Sequence, residues 1–93
     1  MIKNRNAETA QLIQSAINQH INTIDLEVID QSHLHKHHKE AIKNPEKGHF
    51  HVIIQFEDSN NMNRVQQHRA IYQAISPIME RIHAISIAVT SKN

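Results

Sequence analysis

The sequence has no cysteine, a single glycine and few aromatic residues, and these absences exclude several kinds of site. Without cysteine, the chain forms no disulfide framework and offers no thiolate as nucleophile or metal ligand. With Gly48 as the only glycine, a glycine-rich phosphate-binding loop is excluded. The serines and carboxylates are scattered, so neither a nucleophile elbow nor an acid/base pair is indicated. We therefore predict a binding protein and not an enzyme.

Long hydrophobic runs and a strong net charge are also missing. The apolar runs are too short to cross a bilayer, and the first residues do not resemble a targeting segment. The formal net charge is +1, whereas avid nucleic-acid-binding domains usually carry a clear basic excess. We expect a cytoplasmic protein with no membrane contact. Its 93 residues, 39% of them hydrophobic, fit one domain over residues 1–93.

The hydrophobic pattern predicts an α+β fold. Apolar spacings of three and four indicate helices, and period-two alternation indicates strands. The order is α-β-β-α-α-β, with a hairpin of the first two strands and a helical crossover to the third. Helices on one face of this three-stranded sheet make a two-layer sandwich. The predicted elements are helices at about 6–21, 65–75 and 77–82, and strands at about 24–30, 49–57 and 84–90.

Two side-chain placements follow from the same pattern. In the second helix, Val65, Tyr72 and Ile75 are predicted to form the buried stripe, with His68 packed between them. In the last strand, His83 shares the parity of Ile85, which places it at the rim of the buried face. From the pattern alone, the simplest role for His83 is packing, with one ring nitrogen hydrogen-bonded.

Histidine is the unusual component, with nine copies. Several lie in the long polar connection between the first two strands, where an extended chain would place His33, His35 and His37 on one side. Neutral imidazoles in that arrangement can bind Zn²⁺, Ni²⁺ or Fe. The alternative is a loop that uses histidine as an ordinary polar residue, and for most of these histidines we favour it. A site for a divalent metal, built from the loop histidines alone, stays a hypothesis beside the two that follow.

Four segments, in matching order and spacing, resemble the motifs of BolA-like proteins, and the first helix also fits that family. The resemblance implies a class II KH-like fold, in agreement with the predicted element order. The segments are LEVIDQSHLH at 26–35, similar to "LEVxDESHxH"; HFHV at 49–52, similar to "HFxV"; VQQHR at 65–69, similar to "VQRHR"; and IHAISI at 82–87, similar to "VHALSI".

The resemblance first implies a partnership with a monothiol glutaredoxin around a shared [2Fe-2S] cluster. In cluster-binding members one ligand comes from the loop between the first two strands and the other from the last-strand motif. By register these are His35 and His83, with His33 and His37 as alternative loop ligands. Two imidazoles can replace two thiolates on one iron. The partner and glutathione would then supply the thiolates, and we expect no cluster in the isolated chain.

The resemblance also implies DNA binding, as in regulators of the stress response and of cell morphology. The candidate residues are Arg64, Arg69 and Lys92, although such arginines are more often part of a solvated helix surface. Two departures weaken this alternative more than the cluster hypothesis. Gln67 replaces the first arginine of the family's "RHR", and Asp58 replaces the glycine of its "FxG".

Overall fold

A computed structural model describes residues 5–32, 48–57 and 61–90. The predicted order α-β-β-α-α-β is confirmed, and the last helical segment is a short 3₁₀ helix. No helix in these ranges is long and apolar enough to span a membrane. The elements are α1 (Arg5–His20), β1 (Thr23–Asp30), β2 (Gly48–Phe56), α2 (Arg64–Ile75), the 3₁₀ helix (Ser76–Arg81) and β3 (Ile82–Thr90).

The three strands form one sheet with β2 in the centre. β1 and β2 are antiparallel, as the predicted hairpin requires, and β2 and β3 are parallel. A parallel pair needs a crossover connection, which α2 and the 3₁₀ helix provide. Alternate β2 side chains are buried against the helices: Phe50, Val52, Ile54 and Phe56. We call the opposite side the outer face; on β2 it carries His49, His51, Ile53 and Gln55.

The hydrophobic core lies between the sheet and the two α-helices. Ile13 and Ile17 from α1, and Ile71 and Ile75 from α2, are fully buried. They form one cluster with the inner residues of β2. Full burial of such a side chain contributes roughly 1.5–3 kcal/mol, so this cluster determines how both helices pack.

Local sequence sets the two ends of α2. The Asn63 side chain accepts a hydrogen bond from the Gln66 N–H (2.8 Å), and the Gln66 side chain accepts one from the Asn63 N–H (2.9 Å). This reciprocal capping box satisfies backbone donors that have no partner within the helix. At the other end, Pro77 opens the 3₁₀ helix, since proline is tolerated in a first turn but interrupts a helix interior.

The buried stripe predicted for α2 is wrong for Val65 and Tyr72, whereas Ile75 is buried as predicted. Val65 is 64% exposed and Tyr72 is 43% exposed, and the buried residues are Ile71, Ala74 and Ile75. The prediction followed the large side chains, but a small residue such as Ala74 lets the helix approach the core closely. Val65 and Tyr72 consequently lie on the exposed side of α2.

Arg81 connects the end of the crossover to α1. Its Nε donates to Thr9 Oγ1 (2.8 Å), and its Nη2 donates to Glu8 Oε1 (2.6 Å) and to the Arg5 carbonyl (3.4 Å). Thr9 is fully buried, whereas the Glu8 side chain is half-exposed. The contact with Thr9 is therefore the one that water replaces least well.

Replacing Arg81 by methionine is expected to lower the free energy of unfolding by about 1–2 kcal/mol, because the buried Thr9 hydroxyl loses a charged donor. The matched variant Glu8→Gln removes only the exposed ion pair and is expected to change stability by less than about 0.5 kcal/mol. Urea denaturation of both variants measures the difference. Equal losses in the two variants would show that the ion pair, and not the Thr9 contact, holds the helices together.

Candidate functional site

His83 lies at a break in the pairing of β2 with β3. Gly48 pairs with Ile82, but the next residue, His49, pairs with Ala84, so β3 has His83 as an extra residue. Such a β-bulge leaves one residue out of the ladder and redirects its side chain. His83 is exposed, although it directly follows a buried residue.

The bulge overturns the placement that strand parity predicts for His83. Strict alternation puts this residue with Ile85 at the rim of the buried face, whereas the structure leaves it exposed beside Ala84. Alternation resumes only after the bulge, where Ile85 and Ile87 pack against the core. The packing role that the pattern favours for His83 is therefore wrong.

The His83 imidazole contacts a second imidazole, that of His49 on β2. Their ring centroids lie 4.9 Å apart, with the planes inclined by 59°. His49 belongs to the outer face and is nevertheless only 8% exposed. Sequence reasoning placed His49 on the correct strand face but did not bring it to His83, because the register of two parallel strands is not encoded in their local pattern.

His49 is also tied to the end of β1. The His49 N–H donates to Ser32 Oγ (3.1 Å), and the His49 carbonyl accepts from the Gln31 N–H (2.8 Å). Ser32 is held in turn, since its N–H donates to Asp30 Oδ1 (2.9 Å). The histidine-rich connection that follows Ser32 therefore starts at the same end of the sheet as His83.

A shallow cleft of about 270 Å³ opens at this end of the sheet. Its wall includes Ala84 and Ser86, whose small side chains leave room beside His49. His51 lies two residues after His49 on β2, and its Nδ1 is hydrogen-bonded to Ser86 Oγ (2.6 Å). The residues lining the cleft are Gln31, His49, Phe50, Ala84, Ile85 and Ser86.

The predicted loop ligands, His33, His35 and His37, lie outside the described residues, as does Lys92. Within residues 5–32, 48–57 and 61–90, no group of three or more histidine, cysteine or acidic side chains is placed to hold a metal ion. The structure thus brings His83 to His49 and to the start of the loop. Any site completed by a loop histidine stays a prediction.

The two arginines proposed for DNA binding lie on α2. Arg64 and Arg69 are both exposed, and His68 between them is half-buried. Because α2 packs on the inner side of the sheet, these arginines are separated from the His49 side chain by the sheet itself. The basic residues and the histidine pair therefore form two distinct surfaces.

The fold and the site together define a class of protein. It is a two-layer, KH-like α+β domain with three strands, in which histidines gather where the first strand ends and the last begins. Comparison with known families gives the same result: the sequence model described as BolA-like protein matches residues 17–93. The chain belongs to the BolA-like family.

Solved structures confirm the fold of the family. BolA1 from Arabidopsis thaliana is 26% identical, with a TM-score of 0.69 over 98% of this chain and 95% of that one. The BolA domain of SufE1 from Arabidopsis thaliana is 24% identical, with a TM-score of 0.67 over the same shares. BolA1 from Mus musculus is 21% identical, with a TM-score of 0.63 over 97% of this chain and 67% of that one. No curated protein matches the chain.

Proposed function

We propose that this protein is a non-enzymatic partner of a monothiol glutaredoxin, with which it co-ligates a [2Fe-2S] cluster in iron–sulfur trafficking or sensing. The observation that carries the proposal is the position of His83. This residue is an exposed imidazole, displaced by a bulge, at the end of the sheet where the histidine-rich connection begins. A partner can approach its ring nitrogens from solvent.

The donor set of the chain fits one half of such a cluster. A [2Fe-2S] cluster needs four ligands, and two histidines can serve one of its irons. His35 is three positions after Ser32, and an extended segment of that length reaches about 10 Å. In this proposal His35, or alternatively His33 or His37, serves the same iron as His83. The cysteine-free chain leaves both thiolates to the glutaredoxin and glutathione.

Each group in this arrangement has a distinct task. His83 and the loop histidine would hold iron through neutral nitrogens, and ligation would be weaker in acid because metal binding requires deprotonated ligands. Imidazole ligands give a cluster a higher reduction potential than thiolates do, which suits release or sensing.

We assign no reaction to the chain itself. We place its activity in the cytoplasm because cysteine-free chains need no oxidising compartment.

Reconstitution with iron, sulfide and glutathione tests the proposal. The chain and a monothiol glutaredoxin, mixed and reconstituted together, are expected to elute as a heterodimer whose visible absorption differs from that of the glutaredoxin alone. The chain reconstituted alone is expected to stay colourless. Separate elution, with an unchanged glutaredoxin spectrum, would contradict the proposed function.

DNA binding is the second candidate, and one observation favours it. Arg64 and Arg69 are exposed on one helix together with Tyr72, so cationic and aromatic groups share a surface. If this surface binds duplex DNA, affinity is expected to fall steeply with salt concentration. Arg69→Gln should weaken binding and reduce the salt slope by about 1, measured by fluorescence anisotropy. Absence of binding at low salt would eliminate this candidate.

A further inference from the structure

We infer that His49 is a positioning residue that holds the His83 imidazole in place and couples it to the start of the histidine-rich connection. This inference rests on the proposed function, since it concerns how the two halves of the ligand set are held together. It assigns a role to a histidine that the predicted ligand set does not include.

The first support is the contact between the rings. A centroid separation of 4.9 Å with planes inclined by 59° lies within the range of favourable tilted aromatic pairs. His83 is exposed at a bulge, so its side chain would otherwise exchange among several rotamers. The nearly buried ring of His49 provides a fixed surface that limits this exchange.

The second support is the fixed position of His49 itself. Both polar groups of its backbone are hydrogen-bonded to the end of β1. The His49 N–H donates to Ser32 Oγ (3.1 Å), and the His49 carbonyl accepts from the Gln31 N–H (2.8 Å). Asp30 anchors Ser32 in turn. His49 therefore contacts His83 through its ring and the start of the histidine-rich connection through its backbone.

The third support is the bulge, which explains why the contact exists. Without the extra residue in β3, the residue before Ala84 would pair with Gly48 and follow the alternation of the strand. The bulge removes His83 from the ladder and brings its ring to His49. Gly48, the residue before His49 on β2, has no side chain that could contact the His83 ring in place of His49.

Two substitutions separate a positioning role from ligation. His49→Phe keeps a ring of similar size but removes both nitrogens, and His49→Ala removes the ring. With a glutaredoxin, His49→Phe is expected to form the cluster with nearly unchanged visible and EPR spectra. His49→Ala is expected to alter the EPR spectrum and to lower cluster affinity about 10–100-fold, as loss of a group supporting a metal ligand usually does. His51→Ala, on the same strand face, is the matched control and should leave both unchanged.

The isolated chain gives a readout that does not depend on the cluster. In ¹H–¹³C spectra, the His83 ring signals are expected to move in His49→Ala and to move little in His51→Ala. If His83 responds in this way but the unchanged chain forms no cluster, the proposed function fails while the contact stands. His83 signals unaffected by His49→Ala would overturn the inference. Loss of the cluster in a folded His49→Phe variant would also overturn it, because a nitrogen of His49 would then be required.

Discussion

Replacement of His83 by alanine is expected to abolish the visible absorption of the cluster shared with the glutaredoxin. His83 is the exposed imidazole of the bulge in β3, and a chain without cysteine has no thiolate to take its place. Without His83 the ligand set of the cluster would be incomplete, because a [2Fe-2S] cluster needs four ligands. Because the side chain is exposed, the substitution should leave the fold intact.

The control for this variant is a histidine away from the end of the sheet at which His83 lies. His20 is exposed in the last turn of α1, and His20→Ala should form the cluster like the unchanged chain. Absorption at reconstitution, normalised to heterodimer eluted, is the measurement. A full cluster spectrum in His83→Ala, with circular dichroism showing a folded chain, would remove His83 from the ligand set.

Gly48→Ala is expected to lower the free energy of unfolding by about 2–3 kcal/mol, within the range for adding atoms to a packed region. A Cβ at this position would lie 2.6 Å from Asn6 Oδ1 and 2.7 Å from the ring of Phe50. Phe50 is 1% exposed, so its ring has little space into which to move. Urea denaturation measures the loss.

A second substitution tests whether the Phe50 ring is the obstacle. In a Phe50→Leu background the aromatic ring is absent, and Gly48→Ala should then cost markedly less than in the unchanged chain. The difference between the two costs is the coupling energy of a double-mutant cycle. Equal costs in both backgrounds would show that Asn6, or the backbone, sets the requirement for glycine.

The strands and their topology were predictable from the sequence because each has a strong local signal. Phe50, Val52 and Ile54 alternate with residues that are polar except for Ile53, as expected for a strand with one buried face. The short helical segment after Ser76 follows from the position of Pro77. Connection lengths then leave few topologies, so the hairpin and the crossover were correct.

The bulge at His83 and the choice of the buried face of α2 were not predictable in the same way. Both depend on how one element packs against or pairs with another. The register of β3 against β2 decides which residue of β3 is extra, and the hydrophobic pattern of residues 82–90 does not determine that register. Ala74 is buried because its small size allows close packing, a property that a count of large apolar residues overlooks. Motif resemblance identified His83 where local pattern pointed to packing.

The geometry of the site therefore depends on pairing across strands. The bulge makes His83 exposed, the contact with His49 gives it a fixed neighbour, and the Ser32 hydrogen bond brings the base of the loop to the same place. None of these contacts involves residues next to each other in sequence. The first two are consequences of the parallel pairing of β2 with β3, and the third is a consequence of the antiparallel pairing of β1 with β2.

Isotope labelling tests whether imidazoles of this chain bind the iron of a shared cluster. The chain is labelled with ¹⁵N only in its histidines, combined with unlabelled glutaredoxin, reconstituted and reduced. Pulsed EPR is expected to show ¹⁵N couplings from directly bound imidazole. A reduced cluster in the heterodimer without any ¹⁵N coupling would contradict the account.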